Sequence, residues 1–247
     1  MRRYDIVTLF CGIFSGPLHE SILRRAQEKG LVEIRVHDLR DWTHDRHRVV
    51  DDVPFGGGAG MVLKSEPLFE AVDALREADS QILLLTPQGE RFDHAMACSL
   101  VEARHLIFLC GRYEGFDERV RTLADREISI GDYVLSGGEL PALILIDAMV
   151  RLIPEALGDQ SSAEEDSFAT GLLDHPQYTR PVVYRGIRVP EVLLSGDHEQ
   201  IRRWRRKEAL RRTLLRRPDL LKQAALNAED QSLLSEIRAE NEDKRTH

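Results

Sequence analysis

Two short runs in the first half of the chain carry almost no polar residue: Gln81-Ile82-Leu83-Leu84-Leu85 and His105-Leu106-Ile107-Phe108-Leu109-Cys110. A strand with one face in water alternates apolar and polar residues, whereas a strand covered on both faces reads as a continuous apolar run. Tyr4 to Phe10 and Leu31 to His37 predict two more strands, and Glu127 to Ile130 a short fifth. The segments between them predict helices at Leu18 to Lys29 (ended by Gly30), Glu66 to Ala78, His94 to Glu102, Phe116 to Leu123 and Glu139 to Ile153. Strands that alternate with helices build a parallel sheet with helices on both faces, an α/β domain of about 155 residues.

The pattern changes near Gly158. From there to Thr170 the chain reads Gly-Asp-Gln-Ser-Ser-Ala-Glu-Glu-Asp-Ser-Phe-Ala-Thr, small and acidic without periodicity, as in a linker or mobile loop. Helical stretches follow at His198 to Leu215, Pro218 to Leu226 and Asp230 to Asn241, with no buried-strand run. The expected organisation is therefore an α/β domain over residues 1–157, a linker over 158–170 and a small helical domain over 171–247.

Net charge is −8, which by itself disfavours a nucleic-acid partner. Its distribution points the other way. Between Ile201 and Arg217 nine Arg and Lys residues face Glu208 alone, a local +8 that leaves about −16 on the rest. One dense basic segment on an acidic body reads as a phosphate-binding surface, or equally as a solvated helix face. Trp204, set among the arginines, favours RNA, because an aromatic side chain can stack on a base.

Three cysteines, Cys11, Cys98 and Cys110, are too few and too scattered for a disulfide framework or a paired-ligand zinc site, and read as buried reduced thiols. No apolar run approaches the roughly 20 residues of a membrane span, and the N-terminus lacks a signal-peptide pattern. A cytoplasmic protein is expected, with no membrane or DNA partner.

Candidate chemistry gathers in three glycine-bearing loops that follow the apolar strands: Thr86-Pro87-Gln88-Gly89, Gly111-Arg112-Tyr113-Glu114-Gly115, and Gly131 to Pro141. In an open parallel sheet such loops meet at the carboxyl ends of the strands, where ligands bind. Neither a phosphate-binding G-x-x-x-x-G-K-[ST], a dinucleotide G-x-G-x-x-G, a G-x-S-x-G elbow nor an H-E-x-x-H pair is present, which removes support for the chemistries those motifs serve. The residues alone lead to a small-molecule-binding α/β domain joined to a basic helical one.

The strings Gly56 to Val62 (GGGAGMV), TPQG, Cys110 to Val120 (CGRYEGFDERV), Ser129 to Ala142 (SIGDYVLSGGELPA), Glu165 to Pro181 (EDSFATGLLDHPQYTRP) and Leu193 to Arg206 closely resemble the bacterial tRNA (guanine-N1)-methyltransferase family, the TrmD type of the SPOUT class. They occur in order over nearly the whole chain. Departures are local: Ala59 stands where the family commonly has proline, and His175 where cysteine is frequent.

The resemblance implies a deep trefoil knot in the parallel-sheet domain and methyl transfer from S-adenosylmethionine to N1 of guanine 37 in tRNA. It implies a cofactor pocket formed by Pro87, Gly89, Gly111, Glu114, Ile130, Gly131, Asp132, Tyr133, Val134, Leu135, Gly137, Gly138 and Pro141. Ile130 and Leu135 would pack on the adenine. Guanine N1 carries a proton near neutral pH, so the reaction needs a base, and charge developing on O6 needs a donor or cation. The resemblance gives these roles to Asp166 and Arg151. It further implies a homodimer that grips the tRNA anticodon stem-loop. The candidate RNA contacts are Gly56, Gly57, Gly58, Ser195, Asp197, Arg202, Arg203 and Arg205, with His47 and Asp52 near the glycines. A magnesium ion near Glu114 is a further expectation. The alternatives are a relative acting on a ribose 2′-hydroxyl or another base, and an RNA-binding protein without catalysis.

Overall fold

The computed structural model describes residues 1–158 and 166–246. The chain divides into two compact units, Met1–Asp159 and Gln160–His247.

The first unit contains β1 (Arg2–Thr8), α1 (Ser21–Glu28), β2 (Val32–Asp38), a hairpin of β3 (Asp51–Asp52) and β4 (Val62–Leu63), α2 (Ser65–Leu75) and β5 (Ser80–Arg91). It continues with α3 (His94–Leu100), β6 (His105–Cys110), β7 (Arg126–Ser129) and α4 (Glu139–Val150). Five strands pair in the order β2-β1-β6-β5-β7, all parallel. The unbroken apolar runs have the expected cause. Leu83, Leu85, Leu106 and Phe108 pack under α1, α3 and α4, whereas Ile82, Leu84, Ile107 and Leu109 pack under α2 on the other face. Each such side chain, fully removed from water, stabilises the fold by about 2 kcal/mol before entropy is counted.

Four expectations are corrected by the structure, one of them the helix expected over Pro218 to Leu226, which is only a single turn over Pro218–Leu221. Phe116 to Leu123 is not an α-helix but a 3-10 turn over Glu118–Leu123, capped by Asp117, which accepts from the Arg119 amide. Its terminal amides bond three residues back, Val120 to the Asp117 carbonyl and Ala124 to the Arg121 carbonyl, which is the 3-10 pattern. Strand β5 does not stop at Leu85. Its pairing with β7 jumps, so that Leu85 and Glu90 both oppose Ile128 and the four residues Thr86 to Gly89 loop out of the strand. Cys98 is exposed rather than buried, while Cys110 is buried and Cys11 partly so.

The second unit holds a small hairpin of β8 (Val183–Tyr184) and β9 (Ile187–Arg188), then α5 (His198–Arg216), the single turn α6 (Pro218–Leu221) and α7 (Ala228–Thr246). Its core is Leu172, Leu210, Leu233, Leu234 and Ile237. Most of the expected linker, residues 159–165, lies outside the described residues. Among the described residues no helix is long and apolar enough to cross a membrane.

One polar cluster is built into the sheet itself. Asp5 on β1 is fully buried, with His37 Nε2 2.7 Å from one carboxylate oxygen and His105 Nε2 2.7 Å and Arg3 Nε 2.9 Å from the other. Burial pushes the Asp5 pKa up, but the hydrogen bonds from His37 and His105 and the charge of Arg3 outweigh it and hold the carboxyl below its ordinary value. A carboxyl whose pKa is lowered on folding stabilises the fold above its unfolded value, and that stability disappears as the pH falls through the folded one. Asp5→Asn should therefore lower unfolding stability at pH 7 by about 3 kcal/mol. The deficit should shrink as the pH falls below about 4, near the carboxyl's unfolded pKa. Denaturant titrations of both proteins across that range test this, and a deficit that stays constant with pH would contradict it.

Candidate active site

The carboxyl ends of β6, β5 and β7 are neighbours in the sheet, so the loops that leave them converge. They enclose a cavity of about 400 Å³. Of the expected pocket residues, Pro87, Gly111, Glu114, Ile130, Gly131, Tyr133, Val134, Leu135, Gly137, Gly138 and Pro141 line it. Gly89 and Asp132 do not. Gly89 has a different physical reason to be glycine: a Cβ there would lie 2.3 Å from the Ile128 amide nitrogen, so strand β7 crosses directly against it.

The same crowding recurs at Gly138, where a Cβ would come within 2.7 Å of the Cys110 Cα. The Gly138 amide donates to the Gly111 carbonyl at 2.9 Å, and Arg112 and Gly137 form a further antiparallel bridge. The loop before α4 is thus laid backbone to backbone on the loop after β6. Gly131, at φ +143°, makes the preceding turn in a region that side chains rarely adopt.

A group of residues that sequence reasoning did not single out clasps these loops together. Glu139, at the start of α4, is almost completely buried. It accepts a hydrogen bond from Thr8 Oγ1 at 2.7 Å and pairs with Arg112 Nε at 3.1 Å. Arg112 in turn donates to the Ser136 carbonyl at 3.1 Å, and its guanidinium lies 4.3 Å from the centre of the Phe10 ring. The ends of β1 and β6 and the start of α4 are joined by one buried ion pair. Its sequence signal was a carboxylate opening an otherwise apolar helix. Burial, reinforced by Glu139, pushes the neighbouring Cys110 thiol well up, so it stays protonated and inert at neutral pH.

The electrostatics of the cavity favour a cation. Arg112 is neutralised by Glu139, and Arg121 by Glu118 and Glu127. Glu114 also lines the cavity, and among the described residues it has no ion-pair partner. Its side chain folds over Gly60, where a Cβ would lie 2.3 Å from Glu114 Oε1, so the glycine-rich 56–60 segment reaches the cavity rim. No group of three His, Cys, Asp or Glu side chains converges among the described residues. The magnesium expectation is left without a protein site.

Arg151 caps the C-terminus of α4, half-buried, with its amide bonded to the Asp147 carbonyl at 3.3 Å. It is not among the residues that line the cavity. Asp166 opens the described part of the second unit as an exposed residue at the start of a turn. Gly56, Gly57 and Gly58 form the exposed loop between β3 and β4, all at positive φ. Asp52 is exposed beside them, and His47 precedes β3.

In the second unit the expected basic surface is largely spent within the protein. Arg202 pairs with Glu199 and Glu229, Arg203 with Glu236, and Arg206 with Asp230. Lys207 pairs with Glu236 and Glu240, Arg211 with Glu208 and Glu240, and Arg217 with Asp219. The local excess of positive charge counted along the sequence is about halved by four acids of α7, Glu229, Asp230, Glu236 and Glu240. Hydrogen bonds from Lys207 and Arg211 pull the Glu240 carboxyl down to about 2. Asp197 caps α5, accepting from the Glu199 and Gln200 amides, and Ser195 Oγ donates to the Val192 carbonyl. Trp204 packs its ring 6.3 Å from that of Tyr178 rather than standing free to stack. Of the expected RNA contacts on α5, Arg205 alone has no carboxylate partner among the described residues, and it lines a second cavity within this unit.

Residues 2–223 match a family model described as tRNA (Guanine-1)-methyltransferase TrmD. A protein of Dictyoglomus turgidum named tRNA (guanine-N(1)-)-methyltransferase is 57% identical over 240 residues, 97% of this chain and 98% of its own length. Proteins of the same name from Dehalococcoides mccartyi and Geobacter sulfurreducens are 55% and 57% identical, each over 97% or more of both chains.

The packing at Gly138 makes a direct prediction. Gly138→Ala keeps an ordinary backbone conformation but forces a methyl group against the Cys110 backbone, an overpacking worth about 2 kcal/mol. Its midpoint of thermal unfolding should fall by roughly 4–8 °C. Gly16→Ala, where a Cβ meets nothing within 4 Å, should melt close to the parent. Equal melting of all three proteins would show that the loops can part at no cost.

Proposed function

The chain belongs to the tRNA (guanine-1)-methyltransferase family, and from that premise we propose that it transfers a methyl group from S-adenosylmethionine to N1 of guanine 37 in tRNA. The observation that carries this reading is the cavity at the carboxyl ends of β5, β6 and β7, which has the size and lining a nucleoside-bearing cation requires.

The fit to the methyl donor rests on the residues present. Leu85, Ile130 and Leu135 give the cavity an apolar wall for an adenine ring, and the glycines at 111, 131, 137 and 138 let backbone groups approach closely. Glu114, which has no ion-pair partner among the described residues, suits the positive sulfonium. When bound, S-adenosylmethionine supplies an electrophilic methyl group, and the protein's main task is orientation.

Guanine N1 becomes nucleophilic only as its proton leaves. Asp166 accepts that proton, and Arg151 offset the charge that then develops on O6; each role needs the residue type found at its position. A target in the anticodon loop is unpaired, so exposing its base requires less unstacking than in a duplex. The same family reading carries the trefoil knot, supported by the backbone crossings at Gly89 and Gly138, where no side chain fits. It also carries a cytoplasmic homodimer. Helix α4 is apolar nearly all round, yet Leu140 and Ile144, one turn apart, are about half exposed in the single chain. A helix of that kind is normally covered.

The test is transfer of label from S-adenosylmethionine to a tRNA transcript with guanine 37, beside an adenine 37 control. Label should appear as N1-methylguanine in the first and be absent from the second. Asp166→Ala should lower kcat by a factor of about 10² to 10⁴, as expected for loss of a general base, while donor affinity is retained. Label on a ribose, or an unchanged rate without Asp166, would refute the assigned chemistry. Ile144→Glu should shift the wild-type dimer toward monomer in sedimentation equilibrium. A wild type that sediments as a monomer would remove the dimer from the proposal.

A further inference from the structure

Among the described residues of the second unit, carboxylates hold most of the basic residues of α5, while Arg180, Arg185, Arg205, Arg216, Lys222 and Arg238 have no carboxylate partner. Six of the nine basic residues between Ile201 and Arg217 are held by carboxylates. Arg212 donates to the Asp174 carbonyl, and Arg216 is exposed without a carboxylate partner among the described residues. Arg205 is exposed and has no carboxylate partner among the described residues, and the same holds for Arg180. These two line one cavity of about 440 Å³.

The rest of that cavity is of a different character. Leu193, Leu194 and Ile201 give it an apolar floor, and Tyr178 contributes a half-exposed ring. The Tyr178 ring is backed by Trp204, at 6.3 Å and a tilt of 51°, which holds it as a fixed platform. At the rim, Val182 and Val189 close the base of the β8–β9 hairpin through a 3.0 Å backbone bond. The hairpin projects exposed Tyr184, with Arg185 over its ring at 5.4 Å. Two unneutralised guanidiniums beside a braced aromatic ring and an apolar floor match a nucleotide: phosphate on the arginines, base or ribose on the ring.

We infer that this cleft, and not the arginine stripe along α5, is where the second unit grips RNA, taking one nucleotide of the strand. The inference rests on the reading that the substrate is tRNA, and it names the site through which the second unit holds it. Arg202 and Arg203, bound to Glu199, Glu229 and Glu236, serve instead to fasten α5 to its neighbours.

The experiment is fluorescence anisotropy of labelled tRNA, titrated with the full chain at several salt concentrations. Arg180→Ala and Arg205→Ala should each weaken binding about fivefold, and each should reduce the salt slope by about one. Arg205→Lys should restore most of the slope, because charge is kept. Tyr178→Ala should weaken binding about tenfold without changing the slope, and Tyr178→Phe should bind nearly as the parent does. Arg217→Ala removes one charge already paired with Asp219 and should leave affinity unchanged. Helix content and affinity for S-adenosylmethionine report whether each variant is folded. Wild-type protein that methylates tRNA while the Arg180 and Arg205 variants bind it undiminished would overturn the cleft and leave the function standing. Equal weakening by Arg217→Ala would overturn it too, by reducing the effect to net charge. A wild type that neither binds nor methylates tRNA would overturn the function and this site with it.

Discussion

At Gly138 the chain passes within a methyl group's reach of the Cys110 backbone, and the arrangement of the whole cavity follows from that contact. Two loops from different strands lie against each other with no side chain between them, joined by the Gly138–Gly111 hydrogen bond. Close approach fixes both loops at once, because moving either would separate backbone groups that are buried and must stay hydrogen-bonded. The Glu139–Arg112 pair then works at short range. Arg112 reaches Ser136 and Phe10 only because the loops are already in contact. Burying this pair is costly on its own, and the Thr8 hydroxyl and the Ser136 carbonyl offset part of that cost. A rigid cavity wall made of backbone suits a reaction in which orientation of the methyl donor matters more than chemistry supplied by side chains.

The sheet beneath is held by a different balance. Leucine, isoleucine and phenylalanine side chains seal both faces, so the strands tolerate little polarity, yet Asp5 sits fully buried among them. Its carboxylate is tolerable because His37, His105 and Arg3 saturate it. Ser80 extends the network by joining His105 Nδ1, 2.6 Å away, to the Glu77 amide, so β1, β2, β5 and β6 share one polar seam. Loss of the carboxylate would leave several buried donors without an acceptor, and that asymmetry makes such seams rigid.

Features with a local signature were legible in the residues alone. The two-sided burial of β5 and β6 was written in their unbroken apolar runs, and the glycine-bearing loops were written in the turns that follow. What was not legible depends on partners distant in sequence. The bulge at Thr86 to Gly89 exists because Ile128 pairs on both sides of it. Glu139 is a clasp only because Thr8, 131 positions earlier, points at it. The basic segment misled for the same reason. Counting charge along α5 cannot reveal that Glu229, Asp230, Glu236 and Glu240 of another helix stand opposite. The assignment of Asp166 and Arg151 to the chemistry came from family resemblance, since neither carries a distinguishing local pattern.

That cancellation also explains how an acidic protein can act on a polyanion. A net charge of −8 repels RNA at long range, so non-specific attraction is weak. Affinity then has to come from a few cations held where a phosphate will be. An arginine paired with a glutamate contributes less to a phosphate than an unpaired one, because the carboxylate competes for the same donors. An arginine with no such partner is free to respond in full. With Arg202, Arg203, Arg206, Lys207, Arg211 and Arg217 all paired with carboxylates, Arg180 and Arg205 are distinguished among the unpaired cations of the described residues by sharing one cavity with an aromatic ring. A protein with a uniformly basic surface would bind many RNAs alike. Placing two unpaired cations beside an aromatic ring instead ties affinity to a strand that can present a phosphate and a base together.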